Sequence, residues 1–376
     1  MSRRRGLLLA VLCVGLVATS LSVSRAQKRT PDVIFVPTPQ DAVNEMLKMT
    51  NCGKDDIVYD LGCGDGRIVI TAVKDFGAKK GIGIDIDPQR IRESKENAEK
   101  AGVTDRITFL EQDLFQTDFH EASVVTLYLL ERLNMQLRPQ LFQQLRPGTR
   151  IVSHAFTMGE WKDDQTVHTD GENGGVTLHY WTLPAGVAGV WRYAGRGTEQ
   201  RMLRLHQQFQ EVSGAVRSGD QETPITNAKL VGDQLSFSLV RDMGGQQATM
   251  NFSGRVSGDA ITGTLRIAGG PAAGGERAWT AKRDPAQLVG TWRWTVEGQP
   301  RALRMQRQEG KLVATRVGEG EPAPVPQFYA WGGGFQFTLP GALNESYEGI
   351  VEGDRVSGKM IGSQGTGRDW EARRDK

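Results

Sequence analysis

Between Ile57 and Trp181 short β-branched runs alternate with helical stretches, the pattern of a parallel sheet covered on its faces by helices. The apolar runs predict strands over 57–61, 81–86, 107–111, 123–130 and 150–156, with a late strand over 176–181. The segment from Pro88 to Lys100 reads as a helix. Proline stands in its first turn, Asp87 is a candidate N-cap, and Ala101-Gly102 is a natural stop. Upstream, an extended Pro-rich stretch from Phe35 to Pro39 leads into a helix with Val43, Met46 and Leu47 on one face.

After about Pro184 the texture changes. Helical periodicity fades, glycines multiply and short alternating strands take over, and the pattern repeats. Gly189-Val-Trp191-Arg recurs as Gly290-Thr-Trp292-Arg, and Leu203-Arg recurs as Leu303-Arg. The run from Phe252 to Gly263 recurs from Tyr347 to Gly358, and both copies close on a tryptophan strand, at Trp279 and Trp370. Short strands joined by Gly-Asp turns predict two small all-β units in tandem, over 186–284 and 285–376. Each resembles a lipocalin-like minibarrel or a small sandwich, with its tryptophans as core and closure. A boundary near residue 184 predicts that the preceding α/β domain, 31–184, is self-contained.

The 376 residues carry a formal net charge of +2, so neither sign dominates and no extended nucleic-acid surface is expected. Met1-Ser-Arg-Arg-Arg, an apolar run from Gly6 and Ser24-Arg-Ala26 read as a secretory signal peptide over 1–26, or as one retained membrane anchor. Either places the domains outside the cytoplasm, periplasmic, secreted or associated with a membrane or envelope. Outside that segment only Cys52 and Cys63 remain, too few for a disulfide framework, and both read as small buried residues. No Cys-x-x-Cys or His-Glu-x-x-His spacing occurs, so no metal site is expected.

The chemistry concentrates where the first strand runs into Gly62-Cys-Gly64-Asp-Gly66 and then a helix. Glycines there remove β-carbons where a ligand lies against the backbone, and a helix N-terminus offers unpaired N–H groups to a polar or anionic tail. Asp85 ends the second strand about twenty residues after the first glycine, the distance at which a doubly wound sheet presents a carboxylate to ribose hydroxyls. Asp113 ends the third strand, placed to accept from an adenine amino group.

The order Asp60-x-Gly-x-Gly-x-Gly66, then Asp85, then Asp113 resembles the class I S-adenosylmethionine-dependent methyltransferases. The glycine spacing departs from the G-x-G-x-x-G of nicotinamide proteins. The resemblance implies a Rossmann-like methyltransferase sheet with S-adenosylmethionine as cofactor. It implies Asp60 beside the methionine end, the glycines beneath the cofactor, and Asp113-Leu114 bracketing the adenine. After the fourth strand comes Leu127-Tyr128-Leu129-Leu130, with no Asn-Pro-Pro-Tyr or Asp-Pro-Pro-Tyr, so nucleobase and glutamine methylation lose weight. With the Pro-rich entry, residues 31–165 resemble bacterial relatives of the ATP-synthase c-subunit lysine methyltransferases. By that resemblance Pro37 and Thr38 help close the cofactor pocket, Tyr128 stands near the acceptor nitrogen, and a protein lysine is the implied acceptor. Read from the residues alone, Thr38 is a helix cap and Tyr128 a packed strand-end aromatic. The expected function is an S-adenosylmethionine-dependent methyltransferase, and the alternative is an exported binding or scaffold protein that keeps the fold without turnover.

Overall fold

A computed structural model describes residues 30–170, 175–195, 199–284, 288–309, 311–318, 320–339, 345–361 and 367–375. The leader read over 1–26 lies outside these residues, and no helix among them is long and apolar enough to cross a membrane.

The α/β domain starts with helix α1 (Gln40–Met49), whose Ala42, Val43, Met46 and Leu47 are all buried on one face. Strand β1 (Ile57–Leu61) leads into α2 (Arg67–Lys74), β2 (Lys80–Asp85) into α3 (Pro88–Ala101), and β3 (Ile107–Glu111) into a short 3-10 turn. Then follow β4 (Val124–Leu127), α4 (Glu131–Gln144), β5 (Arg150–His154), β6 (Gln165–His168) and β7 (Thr177–Thr182). They form one sheet in the order β3-β2-β1-β4-β5-β7-β6, parallel across the first five positions and antiparallel at β7. The order reverses between β1 and β4, the switch point at which open α/β sheets bind ligands.

Helix α3 has the ends its sequence predicts: the Asp87 carboxylate accepts from Gln89 N–H at 2.8 Å, and Gly102 closes the helix at φ 71°. Strand β4 is shorter than its apolar run, stopping at Leu127 where β1 ends and no further pairing is available. Leu130 then takes an extended conformation to start α4. Strand β5 stops at His154 because Ala155 turns to φ 65°, and β6 has too little apolar pattern to be read from sequence.

The first all-β unit is a single sheet of nine strands. These are β8 (Gly189–Ala194), β9 (Gln200–Gln208), β10 (Glu211–Ser218), β11 (Gln221–Pro224), β12 (Thr226–Val231), β13 (Gln234–Asp242), β14 (Gln247–Ser257), β15 (Ala260–Ala268) and β16 (Gly274–Arg283). Neighbours in sequence pair as meanders, and the first strand pairs antiparallel with the last. The sheet therefore curls into a near-closed barrel whose ladder is interrupted only between β11 and β12. Nine further strands, β17 (Gly290–Val296) through β25 (Gly367–Arg374), repeat this topology in a second barrel, again with first strand on last.

The repetition extends to side chains. In the first barrel Arg283 lies 4.0 Å over the Trp191 ring and Arg192 pairs with Asp284; in the second Arg374 lies 4.6 Å over Trp292 and Arg293 pairs with Asp375. Phe237 stacks on Phe252 as Phe337 stacks on Tyr347. Trp279 and Trp370 are buried in their barrels, so the tryptophans serve as core.

The α/β domain packs against both barrels. Phe142 of α4 touches Trp161 at a 4.7 Å ring separation, Phe209 of the first barrel at 5.8 Å, and Tyr329 and Trp331 of the second at 5.4 and 5.5 Å. One apolar cluster thus runs through all three sheets. At its centre the fully buried Arg138 of α4 donates to Tyr329 Oη (2.5 Å), to the Met158 carbonyl (2.6 Å), to Glu160 (2.9 Å) and to Gln327 Oε1 (2.9 Å). Sequence periodicity cannot show such a shared core, because each barrel contributes only one or two aromatic residues to it.

Truncating Arg138 removes its hydrogen bonds to Tyr329, Gln327 and the Met158 carbonyl from this junction, about 1.5–3 kcal/mol for each bond to a charged group, while Glu160, 37% exposed, stays hydrated. In urea, Arg138→Ala is expected to unfold in separate steps for the α/β domain and the barrels, with Tyr329→Phe losing only about 1 kcal/mol. A single unchanged transition in Arg138→Ala would show that the junction does not couple them.

Candidate functional site

Strands β1, β2 and β4 all end at the sheet's switch point, and there a cleft of about 590 Å³ opens. That is a fitting size for a nucleoside-sized ligand. Its walls carry Pro37, Thr38, Asp60, Gly62, Asp85, Asp113, Leu114 and Tyr128, brought together from five separate stretches of chain.

Gly64 and Gly66 do not line it. A β-carbon on Gly64 would fall 2.1 Å from the Phe35 ring, and one on Gly66 would fall 2.8 Å from both Phe109 and Ser94. Both residues hold positive φ, 54° and 78°. Their glycine requirement therefore comes from turn geometry and close packing by the protein itself, a correction to the reading that a ligand fills that space.

The turn is clamped by acids. Asp85 accepts from the Gly64 N–H and the Asp87 N–H, both at 2.9 Å, so its carboxylate fixes the loop while facing the cleft. Burial raises the Asp85 pKa against these two hydrogen bonds. Asp113 accepts from Phe115 N–H at 3.0 Å and starts the 3-10 turn that carries Leu114. At the cleft floor Asp60 is buried and accepts from Thr126 Oγ1 at 2.7 Å. Burial, with Asp85 and Asp65 nearby, pushes its carboxyl up to about 7.

Across the mouth runs the segment from Pro31 to Thr38. Three arginines hold it: Arg67 donates to the Thr38 carbonyl at 2.9 Å, Arg90 lies 4.7 Å over the Phe35 ring, and Arg132 donates to the Asp32 carbonyl at 3.1 Å. Arg67 is itself held by the Asp65 carboxylate of the glycine turn. Thr38 is not a helix cap; Pro39 occupies that position, and the buried Thr38 hydroxyl meets His154 Nδ1 at 3.1 Å. The Tyr128 ring stacks on His154 at 3.7 Å and lies 6.3 Å from Phe156. Tyr128 thus stands just past the end of β4, packed on the His154 ring and lining the cleft. Burial lowers His154 to about 4, which keeps the imidazole neutral.

The sequence alone does not single out His154, Arg67, Arg90 or Phe35. His154 sits 116 residues from Thr38, and nothing local marks the pair. Asp65 inside the glycine turn, with Arg67 directly after Gly66, is the one local signal for the strap anchor. Cys63 is buried and Cys52 half-buried, and both are free thiols.

Residues 60–165 match the ANTKMT methyltransferase domain. A protein-lysine N-methyltransferase of Saccharolobus islandicus is 45% identical over 153 residues, which covers 41% of this chain and 95% of that protein. The human lysine N-methyltransferase of the ATP-synthase c-subunit is 30% identical over 173 residues, 44% of this chain and 65% of that protein. A solved structure described as an RNA methyltransferase from Salinibacter ruber with S-adenosyl-L-homocysteine is 51% identical. It covers 39% of this chain and 93% of that one, with a TM-score of 0.37.

The buried Asp60 generates a pH test. Between about pH 4 and pH 7 the folded chain keeps a proton on Asp60 that the unfolded chain releases, so this group's contribution to stability falls as pH rises through that window. Asp60→Asn, neutral at every pH, is expected to gain on the order of 3 kcal/mol relative to the natural chain on going from pH 4 to pH 8 without ligand. A stability difference independent of pH, measured by urea unfolding, would remove the perturbed carboxyl.

With a relative of 45% identity covered over 95% of its length, and a cleft whose carboxylates and apolar walls suit a sulfonium nucleoside, the chain belongs through its amino-terminal domain to the ANTKMT family of S-adenosylmethionine-dependent methyltransferases.

Proposed function

We propose that the domain methylates the side-chain amine of a protein lysine. The observation that carries this reading is the charge of the cleft: Asp32, Asp60, Asp65, Asp85, Asp87 and Asp113 line it against only Arg67 and Arg90. Such a field attracts a cationic acceptor and repels a polyphosphate backbone. The names of the Saccharolobus and human relatives point to the same acceptor.

When bound, S-adenosylmethionine would supply an activated methyl that passes to the lone pair of a neutral amine as the C–S bond breaks and the sulfur leaves as a neutral thioether. In this reading the chain's residues bind and align. Asp85 accepts from the ribose hydroxyls, Asp113 and Leu114 bracket the adenine, and Asp60 with the Gly62 turn faces the methionine end. Gly64 and Gly66 shape that turn from behind, while Pro37 and Thr38 hold the strap across the mouth. Leu129 and Leu133 offer an apolar wall to a lysine stem. Drying the amine there favours its neutral, nucleophilic form. Tyr128, fixed by His154, orients the nitrogen.

The test uses S-adenosylmethionine labelled in the methyl group, a cell protein extract and an RNA fraction, each with purified enzyme. Label is expected in methyl-lysine after acid hydrolysis of the protein. Label in RNA alone would overturn the lysine assignment, and no transfer to either would restore the scaffold reading. Asp85→Ala is expected to weaken cofactor affinity about 10- to 100-fold by calorimetry.

The leader over 1–26 extends the proposal to an exported or envelope-anchored enzyme. An alkaline phosphatase fusion after residue 30 is expected to be active, since that reporter folds only in an oxidising compartment. An inactive fusion would place the enzyme in the cytoplasm.

A further inference from the structure

The two barrels provide an internal comparison, because they correspond strand by strand. Tyr193 pairs directly with Arg201 in the first, and Trp294 pairs directly with Arg301 in the second. Inward-facing positions can therefore be matched between them.

In the first barrel two arginines point inward. Arg201 shares a strand face with the buried Leu203 and Leu205, and its side chain is only 12% exposed. Arg241 continues the alternation of buried Leu235, Phe237 and Leu239 at the end of β13. Thr223 of β11 lies opposite the buried Val216, and β11 borders the one place where the ladder is not closed. Inward-facing polar groups from β8, β9 and β13 thus meet inside the barrel, where Arg201, Tyr193 and Glu199 all act on Arg241.

Their donors are in excess. Arg201 donates to Glu199 at 2.9 Å, and Glu199 also accepts from the Ser218 hydroxyl. Yet Arg241 Nε and Nη2 and Thr223 Oγ1 are screened from solvent with no hydrogen-bond partner among the described residues, and beside them Tyr193 Oη has only the Arg201 guanidinium facing it. Burial and the neighbouring Arg201 both depress the Arg241 guanidinium, with Tyr193 and Glu199 opposing. Gly195 lets the Glu199–Arg201 pair lie against the backbone, since a β-carbon there would fall 2.6 Å from Glu199 Oε2 and 2.9 Å from Arg201 Nε.

Among the described residues the second barrel balances its matching arginine differently. Arg301 has Glu345 at 3.9 Å, and Glu345 also accepts from Tyr347 Oη at 2.6 Å. The residue matching Glu345 in the first barrel is Met250: each sits two places before the stacked aromatic, Tyr347 or Phe252, and opposite Leu339 or Leu239. The internal acid is missing where a second arginine is present.

Orphaned buried donors are costly unless an acceptor arrives. We propose that the first barrel binds an oxyanion, a carboxylate or phosphate, in its interior between β8, β9 and β13, with Arg201, Arg241 and Tyr193 as its donors. The arginines supply charge-assisted hydrogen bonds, and the phenol supplies a neutral one. This site is separate from the methyltransferase cleft and does not rest on the acceptor assignment.

Calorimetry on the full chain tests it, comparing sodium phosphate, sodium acetate and sodium chloride at equal ionic strength. Phosphate or acetate is expected to raise the unfolding temperature by about 3 °C over chloride. A rise with phosphate alone identifies a phosphate ligand, and a rise with acetate identifies a carboxylate. Arg241→Met is expected to abolish the rise, while Arg301→Met leaves it. In chloride alone Arg241→Met is expected to raise the unfolding temperature, because it removes an unpaired buried charge. Absence of an anion-specific rise, its persistence in Arg241→Met, or destabilisation by that variant in chloride would each overturn the proposal.

Discussion

A guanidinium with no access to water must find its partners inside the protein, and Arg138 finds them in pieces of chain that are far apart. The Met158 carbonyl and Glu160 come from the α/β domain, and Gln327 and Tyr329 come from the second barrel, almost two hundred residues later. Phe209 of the first barrel covers the cation at 5.0 Å. Desolvating this charge is repaid only when all three sheets are in place. The same helix carries Leu133 into the methyltransferase cleft, a little over one turn from Arg138. Barrel packing and the acceptor wall are therefore two faces of one rigid element.

Around the cleft the opposite economy holds. Asp60 and Asp85 are carboxylates with raised pKa, held near one another and near Asp65, so the protein's own groups leave mutual repulsion and desolvation unrelieved there. A cationic ligand relieves both. Thr126 and two backbone N–H groups supply only part of that relief. Arg67 answers Asp65 and uses its remaining reach to tie down the strap, so the glycine turn and the mouth segment are positioned by one side chain.

What the sequence reveals here is what depends on local backbone chemistry. The glycine turn, the strand-end acids, the capped helix α3 and the tandem repeat all leave marks within a few residues of themselves. What it conceals depends on distance. Arg138 looks like any polar residue on an amphipathic helix, and Tyr329 like any strand aromatic, until the fold brings them together. Thr38 has the spacing of a cap, but Pro39 takes that place and frees its hydroxyl for His154. Gly64 and Gly66 are legible as glycines but not for the right reason, since the rings that need their space come from Phe35 and Phe109.

Pairing of first strand with last in each barrel has a topological consequence. The chain enters and leaves a barrel side by side, with Arg192 and Asp284 bridging the two ends in one repeat and Arg293 and Asp375 in the other. A unit with adjacent ends is a bead rather than a link: it can be copied in tandem without rethreading its neighbours. The duplicate then inherits a finished hydrophobic core, and its inward-facing charges are left to diverge.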